Sequence, residues 1–150
     1  MIKIICVGKI KENYLKEAIL EYKKRISKYT NIEIIELEDY NYDNKKTLLT
    51  EHNNIVKVMN PSDYNILLDI SGVELNSVSF AKKINDTLIT NSNITFIIGG
   101  SLGVLDELRN MVNYRLSFSK MTFPHQLFRV LLLEQIYRAY KINNNEEYHK

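Results

Sequence analysis

The feature that most constrains this chain is a pair of short runs, NILLDI (Asn65–Ile70) and ITFIIG (Ile94–Gly99), in which apolar residues fill successive rather than alternate positions. A strand written this way has no face to offer to water, so it belongs inside a sheet covered on both sides, which in practice means a parallel sheet with helical crossovers.

The rest of the chain supplies those crossovers. Ile2–Val7 predicts a first strand, after which Leu15, Ala18, Ile19, Tyr22, Ile26 and Tyr29 recur at helical spacing. Ile32–Leu37 predicts a second strand and Asn41–Asn44 a polar connector. Lys45–Met59, with Leu48, Leu49, Ile55, Val56 and Met59 apolar, predicts a helix stopped by Asn60-Pro61. The third strand, Asn65–Ile70, is expected to close at Ser71-Gly72. Phe80, Ala81, Ile84, Leu88 and Ile89 mark the next helix, Ile94–Ile98 a fourth strand, Leu105 to Val112 a short helix, and Tyr114–Phe118 a fifth strand. The final helix is expected to begin near Pro124, whose missing N–H would be unpaired in a first helical turn anyway. The fold class is therefore α/β, a mainly parallel sheet covered by helices on both faces, in a single domain spanning residues 1–150.

Composition narrows the function classes. A chain of 150 residues suits one compact domain that buries about two-thirds of its surface on folding. The formal charge of +2 permits a nucleic-acid partner without demanding one. The densest basic cluster, Lys23, Lys24, Arg25 and Lys28, lies in a helical pattern and serves as a solvated face or a phosphate track. The single Cys6 has no disulfide partner and fits a small buried hydrophobe in a strand. No apolar stretch approaches the about 20 residues of a membrane span, and the first ten residues lack a secretory pattern, so a cytoplasmic protein is expected. His52, His125 and His149 show no zinc-ligand spacing and no metal is expected; His125 and His149 flank the last helix and are candidates for contacts.

In open parallel sheets, ligands bind outside the carboxyl ends of the strands. Three segments fall there: LDISG (Leu68–Gly72), IGGSLG (Ile98–Gly103) and SFSKMTFP (Ser117–Pro124). Gly99, Gly100 and Gly103 make either a structural turn or a loop that lets backbone approach a ligand, but match neither the dinucleotide fingerprint nor a P-loop. Thr122 either caps the following helix or belongs to a loop closing over a small molecule. Asp69 at a strand end invites comparison with a phospho-accepting receiver domain, but Val7-Gly8-Lys9 stands where the receiver needs acidic residues. The last helix is the other unusual element. Leu127, Phe128, Val130, Leu131, Leu132, Leu133, Ile136, Tyr137 and Tyr140 cover most of its circumference, leaving Glu134 and Arg138 one turn apart. A helix apolar nearly all round is buried nearly all round, so this one is expected to pack on its own sheet and, for the extra cover, on a second subunit. The Glu134 and Arg138 pair is then a plain i, i+4 pair or an interface pair near a shared site.

Taken together, LDISG, FIIGGSLG, LSFSKMTFPHQLFRVLLLEQIYRAY and the tail Tyr148-His149-Lys150 closely resemble, in order and spacing over the whole chain, the ribosomal RNA large subunit methyltransferase H family of the SPOUT superfamily. The resemblance implies methyl transfer from S-adenosylmethionine to N3 of a pseudouridine in 23S ribosomal RNA, on assembled ribosomes, by a homodimer. It also implies a C-terminal trefoil knot, which no composition or periodicity indicates. Carried over by position, the S-adenosyl-L-methionine site would involve Leu68, Gly100, Ser119, Lys120, Met121, Thr122, Phe123 and Pro124, with the side chains of Lys120 and Met121 pointing away. Arg138, Tyr148 and His149 would hold the target nucleotide, with His149 a possible proton acceptor and the tail of one subunit completing the site of the other. The family commonly ends in Tyr-His-Arg, whereas Lys150 here keeps the charge without the bidentate fork. The alternative is a ribosome-binding module of the same fold that has lost its chemistry.

Overall fold

A computed structural model describes residues 1–150. Five strands, β1 (Ile2–Val7), β2 (Ile32–Leu37), β3 (Tyr64–Glu74), β4 (Ile94–Ile98) and β5 (Tyr114–Ser117), form one sheet in the order β2-β1-β4-β3-β5. Every pairing is parallel. Five helices connect and follow them: α1 (Asn13–Ile26), α2 (Asn44–Val58), α3 (Ser77–Thr90), α4 (Asp106–Met111) and α5 (His125–Asn143).

The two-residue period of a strand sends successive side chains to opposite faces. Ile2, Ile4 and Cys6 of β1 with Ile94, Phe96 and Ile98 of β4 join α1, α3 and α5 in the larger core. Ile5, Val7, Leu67 and Ile97 join Ile55 and Met59 beside α2 and Leu108 of α4 in the smaller one. The continuous apolar runs thus serve two cores at once, as their sequence requires. Cys6 is fully buried, its Sγ 3.5 Å from the Ile35 carbonyl, and burial pushes its thiol up to about 11, so it stays protonated and inert.

Several boundaries differ from the sequence reading. The helix expected to reach Tyr29 ends at Ile26, and Tyr29 instead stacks on Tyr140 with ring centroids 5.6 Å apart. α2 begins one residue early because Asp43 caps it, accepting from the Lys46 amide at 3.0 Å. The largest difference is β3, which does not close at Ser71-Gly72 but runs on to Glu74. Its register against β5 jumps so that both Leu68 and Val73 face Leu116, leaving residues 69–72 as a bulge. Gly72 is required there: a Cβ would sit 2.6 Å from the Arg115 backbone.

The cover of α5 is also more local than expected. It packs between α1 and α3 on the sheet, and Leu132, Leu133, Ile136 and Ala139 are buried within the single chain. Three neighbours in one chain therefore account for much of the apolarity assigned above to a second subunit.

Candidate functional site

The ends of β3, β4 and β5 converge on one cavity of about 380 Å³. Its walls combine apolar side chains, among them Leu68, Ile98, Leu116, Phe118 and Phe128, with the glycine loop Gly99–Gly103 and the loop leading into α5. The loops are shaped by elementary constraints. Gly103 lies at φ +80°, where a side chain would be strained, and its amide donates to the Gly100 carbonyl at 3.0 Å. A Cβ on Gly99 would strike Val104 at 2.5 Å, and one on Gly100 would lie 2.5 Å from Glu51 Oε1. In the other loop the Met121 amide donates to Ser119 Oγ and the Ser117 hydroxyl to the Ser119 carbonyl, both at 3.0 Å.

Six of the eight residues expected at a cofactor site line this cavity: Leu68, Gly100, Ser119, Met121, Thr122 and Phe123. Lys120 and Pro124 do not, and Lys120 is exposed. Met121 lines the rim yet is 76% exposed. Thr122 does not cap α5; Pro124 holds the N-cap position with no side-chain cap, and its carbonyl accepts the first helical bond, from Phe128, at 2.8 Å. The loop therefore keeps its main-chain amides: those of Ser101, Leu102, Thr122 and Phe123 bond to no other part of the backbone. An apolar cavity of this size edged with free N–H groups suits an uncharged ring with a carboxylate or hydroxyl tail.

Asp69, whose side chain is largely buried in this wall, is fully engaged. Ser71 donates to it from both its amide and hydroxyl, at 3.1 and 2.9 Å, and Arg109 Nε donates at 2.9 Å. Burial acts to raise its pKa, but the bonds from Ser71 and Arg109 outweigh it and hold the carboxyl below the usual range. A carboxylate satisfied in this way is not poised to take up phosphate, and the receiver comparison falls.

Arg138, Tyr148 and His149 are brought together elsewhere, around Glu134. Arg138 Nη2 donates to Glu134 Oε1 at 2.6 Å, and the Tyr148 hydroxyl donates to the same oxygen at 3.1 Å. The Arg138 guanidinium lies over the Tyr148 ring, 4.7 Å from its centroid. Burial, then the Glu134 charge and hydrogen bond, push the Tyr148 phenol up to about 12. His149 Nδ1 stands 3.1 Å from Arg138 Nη1. Because a guanidinium only donates, Nδ1 accepts, and the neutral ring carries its proton on Nε2. None of the three lines the cavity.

Sequence reasoning passed over two residues. Arg129 is 1% exposed, donating from Nη1 to Glu36 at 2.6 Å and from Nη2 to the Gly8 carbonyl at 3.0 Å, and it pins the loop after β1 onto α5. Glu51 is 5% exposed beneath Gly100, with Oε2 accepting from the Tyr40 amide at 3.2 Å and Oε1 without a partner. Both are charged residues at helical core positions, a conflict with the surrounding apolar pattern that is itself a signal.

A family model described as "Predicted SPOUT methyltransferase" matches residues 1–149. The chain is 52% identical to the ribosomal RNA large subunit methyltransferase H of Clostridium novyi (strain NT), and 50% identical to that of Clostridium tetani (strain Massachusetts / E88), in each case over 99% of both chains. Among solved structures it is similar to a probable methylase family protein from Haemophilus influenzae Rd KW20, with a TM-score of 0.56 at 13% identity, over 99% of this chain and 70% of that one; this likeness speaks to the fold alone. The chain belongs to the SPOUT methyltransferases and, within them, to the ribosomal RNA large subunit methyltransferase H family.

Proposed function

We propose that the protein transfers a methyl group from S-adenosylmethionine to N3 of a pseudouridine in 23S ribosomal RNA, acting as a homodimer on assembled ribosomes. The observation that carries this reading is the cavity at the ends of β3, β4 and β5, where the glycine loop and Ser119–Phe123 present free main-chain amides between apolar walls. When bound, the cofactor supplies an activated methyl group, so no metal is needed and the protein's part is to align the reactants. Leu68, Phe123 and Phe128 would enclose the rings, and the amides of Ser101, Leu102, Thr122 and Phe123 would hold the polar edges.

The helix's own dimensions support the homodimer. Arg138 lies 10 residues beyond Phe128, the last residue of α5 at the cavity, so about 15 Å of helix separates Arg138 from the cavity in one chain. A two-fold copy can present its Arg138, Tyr148 and His149 at the cavity of the first. Ile70, Leu102 and Met121, apolar yet exposed where they line the cavity, offer a surface for such a copy to cover. Arg138 would then stabilise negative charge developing on the base, and His149, with its proton on Nε2, would donate to a base carbonyl rather than take a proton.

The test is incubation of the protein with methyl-labelled S-adenosylmethionine and ribosomes lacking the modification, followed by mass spectrometry of large-subunit RNA fragments. One new methyl on a pseudouridine is the expected result. Ribosome binding without methyl transfer or cofactor affinity would leave a binding module of the same fold.

A further inference from the structure

Resting on that methyl-transfer reading, we propose that His125 accepts the N3 proton of the target base. Three titratable side chains line the cavity: Asp69, Arg109 and His125. The first two are bound to each other at 2.9 Å, and Asp69 is further satisfied by Ser71 while Arg109 also holds Asp106 at 2.8 Å. Arg109 is a cation with no lone pair to offer, and the donors around Asp69 hold it as a carboxylate, so neither is suited to take up a proton. His125, the first residue of α5, stands half-buried on the same wall. The remaining histidines do not compete. His149 presents Nε2–H because Arg138 occupies its Nδ1, and His52 lies on α2 outside the cavity.

The surroundings keep His125 in the form the step needs. Burial, and then the Arg129 cation one turn along α5, hold its pKa below the ordinary histidine value, so at neutral pH the ring is uncharged and has a lone pair to offer. Arg129 is itself fixed by Glu36 of β2 and the Gly8 carbonyl, and the other charges on the cavity wall, Asp69 and Arg109, are engaged with each other. In the step, the N3–H bond breaks and its proton passes to an imidazole nitrogen. The electron pair left on N3 forms the new bond to the methyl carbon, and the pair of the broken carbon–sulfur bond returns to sulfur. The imidazolium then sheds its proton to water, a loss that Arg129 favours.

Two readouts test the proposal. In protein labelled at histidine, the His125 ring resonance should titrate below about 6.5 and shift when S-adenosylhomocysteine is added, with those of His52 and His149 much less affected. The H125N and H125Q variants, which keep polarity but accept no proton, should bind S-adenosylhomocysteine with near-native affinity while single-turnover methylation of unmodified ribosomes falls about 100-fold or more. The native rate should plateau above the His125 pKa, whereas the variants' rates should keep rising with hydroxide. Methylation at the native rate with the native plateau in either variant, or a His125 resonance unmoved by S-adenosylhomocysteine, overturns the assignment of His125 while leaving methyl transfer intact. A native protein that moves no methyl at all sinks the methyl-transfer reading, and the proton acceptor with it.

Discussion

The two ends of α5 use opposite chemistries. At the N-terminal end the helix opens onto a cavity built from main-chain amides, glycines and apolar walls, with its charged side chains already paired. At the C-terminal end Glu134, Arg138, Tyr148 and His149 form a side-chain network with little backbone in it. Recognition by backbone depends on loop shape and volume and tolerates changes in side-chain chemistry. Recognition by side chains depends on chemistry and tolerates small movements. The two ends should therefore fail in different ways when altered.

The largest effect is expected where the helix is tied to the sheet near its cavity end. Truncating Arg129 in R129A removes one partner of a buried ion pair and leaves the Gly8 carbonyl without its donor. A loss of about 3–5 kcal/mol in urea unfolding is expected. A loss below about 1 kcal/mol would mean that Glu36, partly open to water, does not need the guanidinium.

At the other end the same kind of truncation should spare the fold and strike the chemistry. R138A is expected to lower methyl transfer about 100-fold, with S-adenosylhomocysteine affinity unchanged and only a small change in unfolding midpoint. R138K, keeping the charge but not the fork that grips Glu134, should recover only part of the rate. If R138A weakened cofactor binding instead, the separation of the two ends would be wrong.

Backbone recognition is probed by adding a single carbon. In G100A the new Cβ falls 2.5 Å from Glu51 Oε1 and 3.2 Å from Val7 Cγ1. Glu51 is too buried to swing away, so the loop must lift. Calorimetry should show stability lower by about 1–3 kcal/mol together with weaker S-adenosylhomocysteine binding. Native affinity in a stable G100A protein would break the claim that loop volume governs the cavity.

How far the sequence anticipated these ends follows from the same contrast. The sheet was legible because apolar runs such as Ile94–Ile98 admit almost no other placement, and the strand ends flagged by Gly99, Gly100 and Gly103 do border the cavity. The continuation of β3 past Gly72 was not, since Ser-Gly is an ordinary turn signal and only the approach of the Arg115 backbone gives the glycine its purpose. The helical spacing of Glu134 and Arg138 gave their pairing, but not the return of Tyr148 onto the same carboxylate, because the chain turns back after Asn143 through Asn145 at φ +56°. Likewise, period alone could not show that α5 finds α1 and α3 on either side, so a second subunit was credited with surface that one chain buries.

The smallest expected effect compares two acids. Glu134 has both oxygens held by Arg138, with Tyr148 adding a third contact, whereas Glu51 has one oxygen bound and one bare. Burial, with a lesser push from Asp39, raises the Glu51 pKa above its ordinary value despite the Tyr40 amide. A carboxyl that holds its proton more tightly when folded favours the native state fully below its unfolded pKa, and that contribution is lost as pH rises through the folded pKa. E51Q, which stays uncharged, should therefore raise the melting temperature at pH 7 to 8 and lose the advantage near pH 4. The change would be a few degrees, about 1 kcal/mol for a domain of this size. A melting difference that is flat across this range would mean that Glu51 is solvated in the native state, and the cavity end would then hold no uncompensated charge to set against the satisfied network at the other.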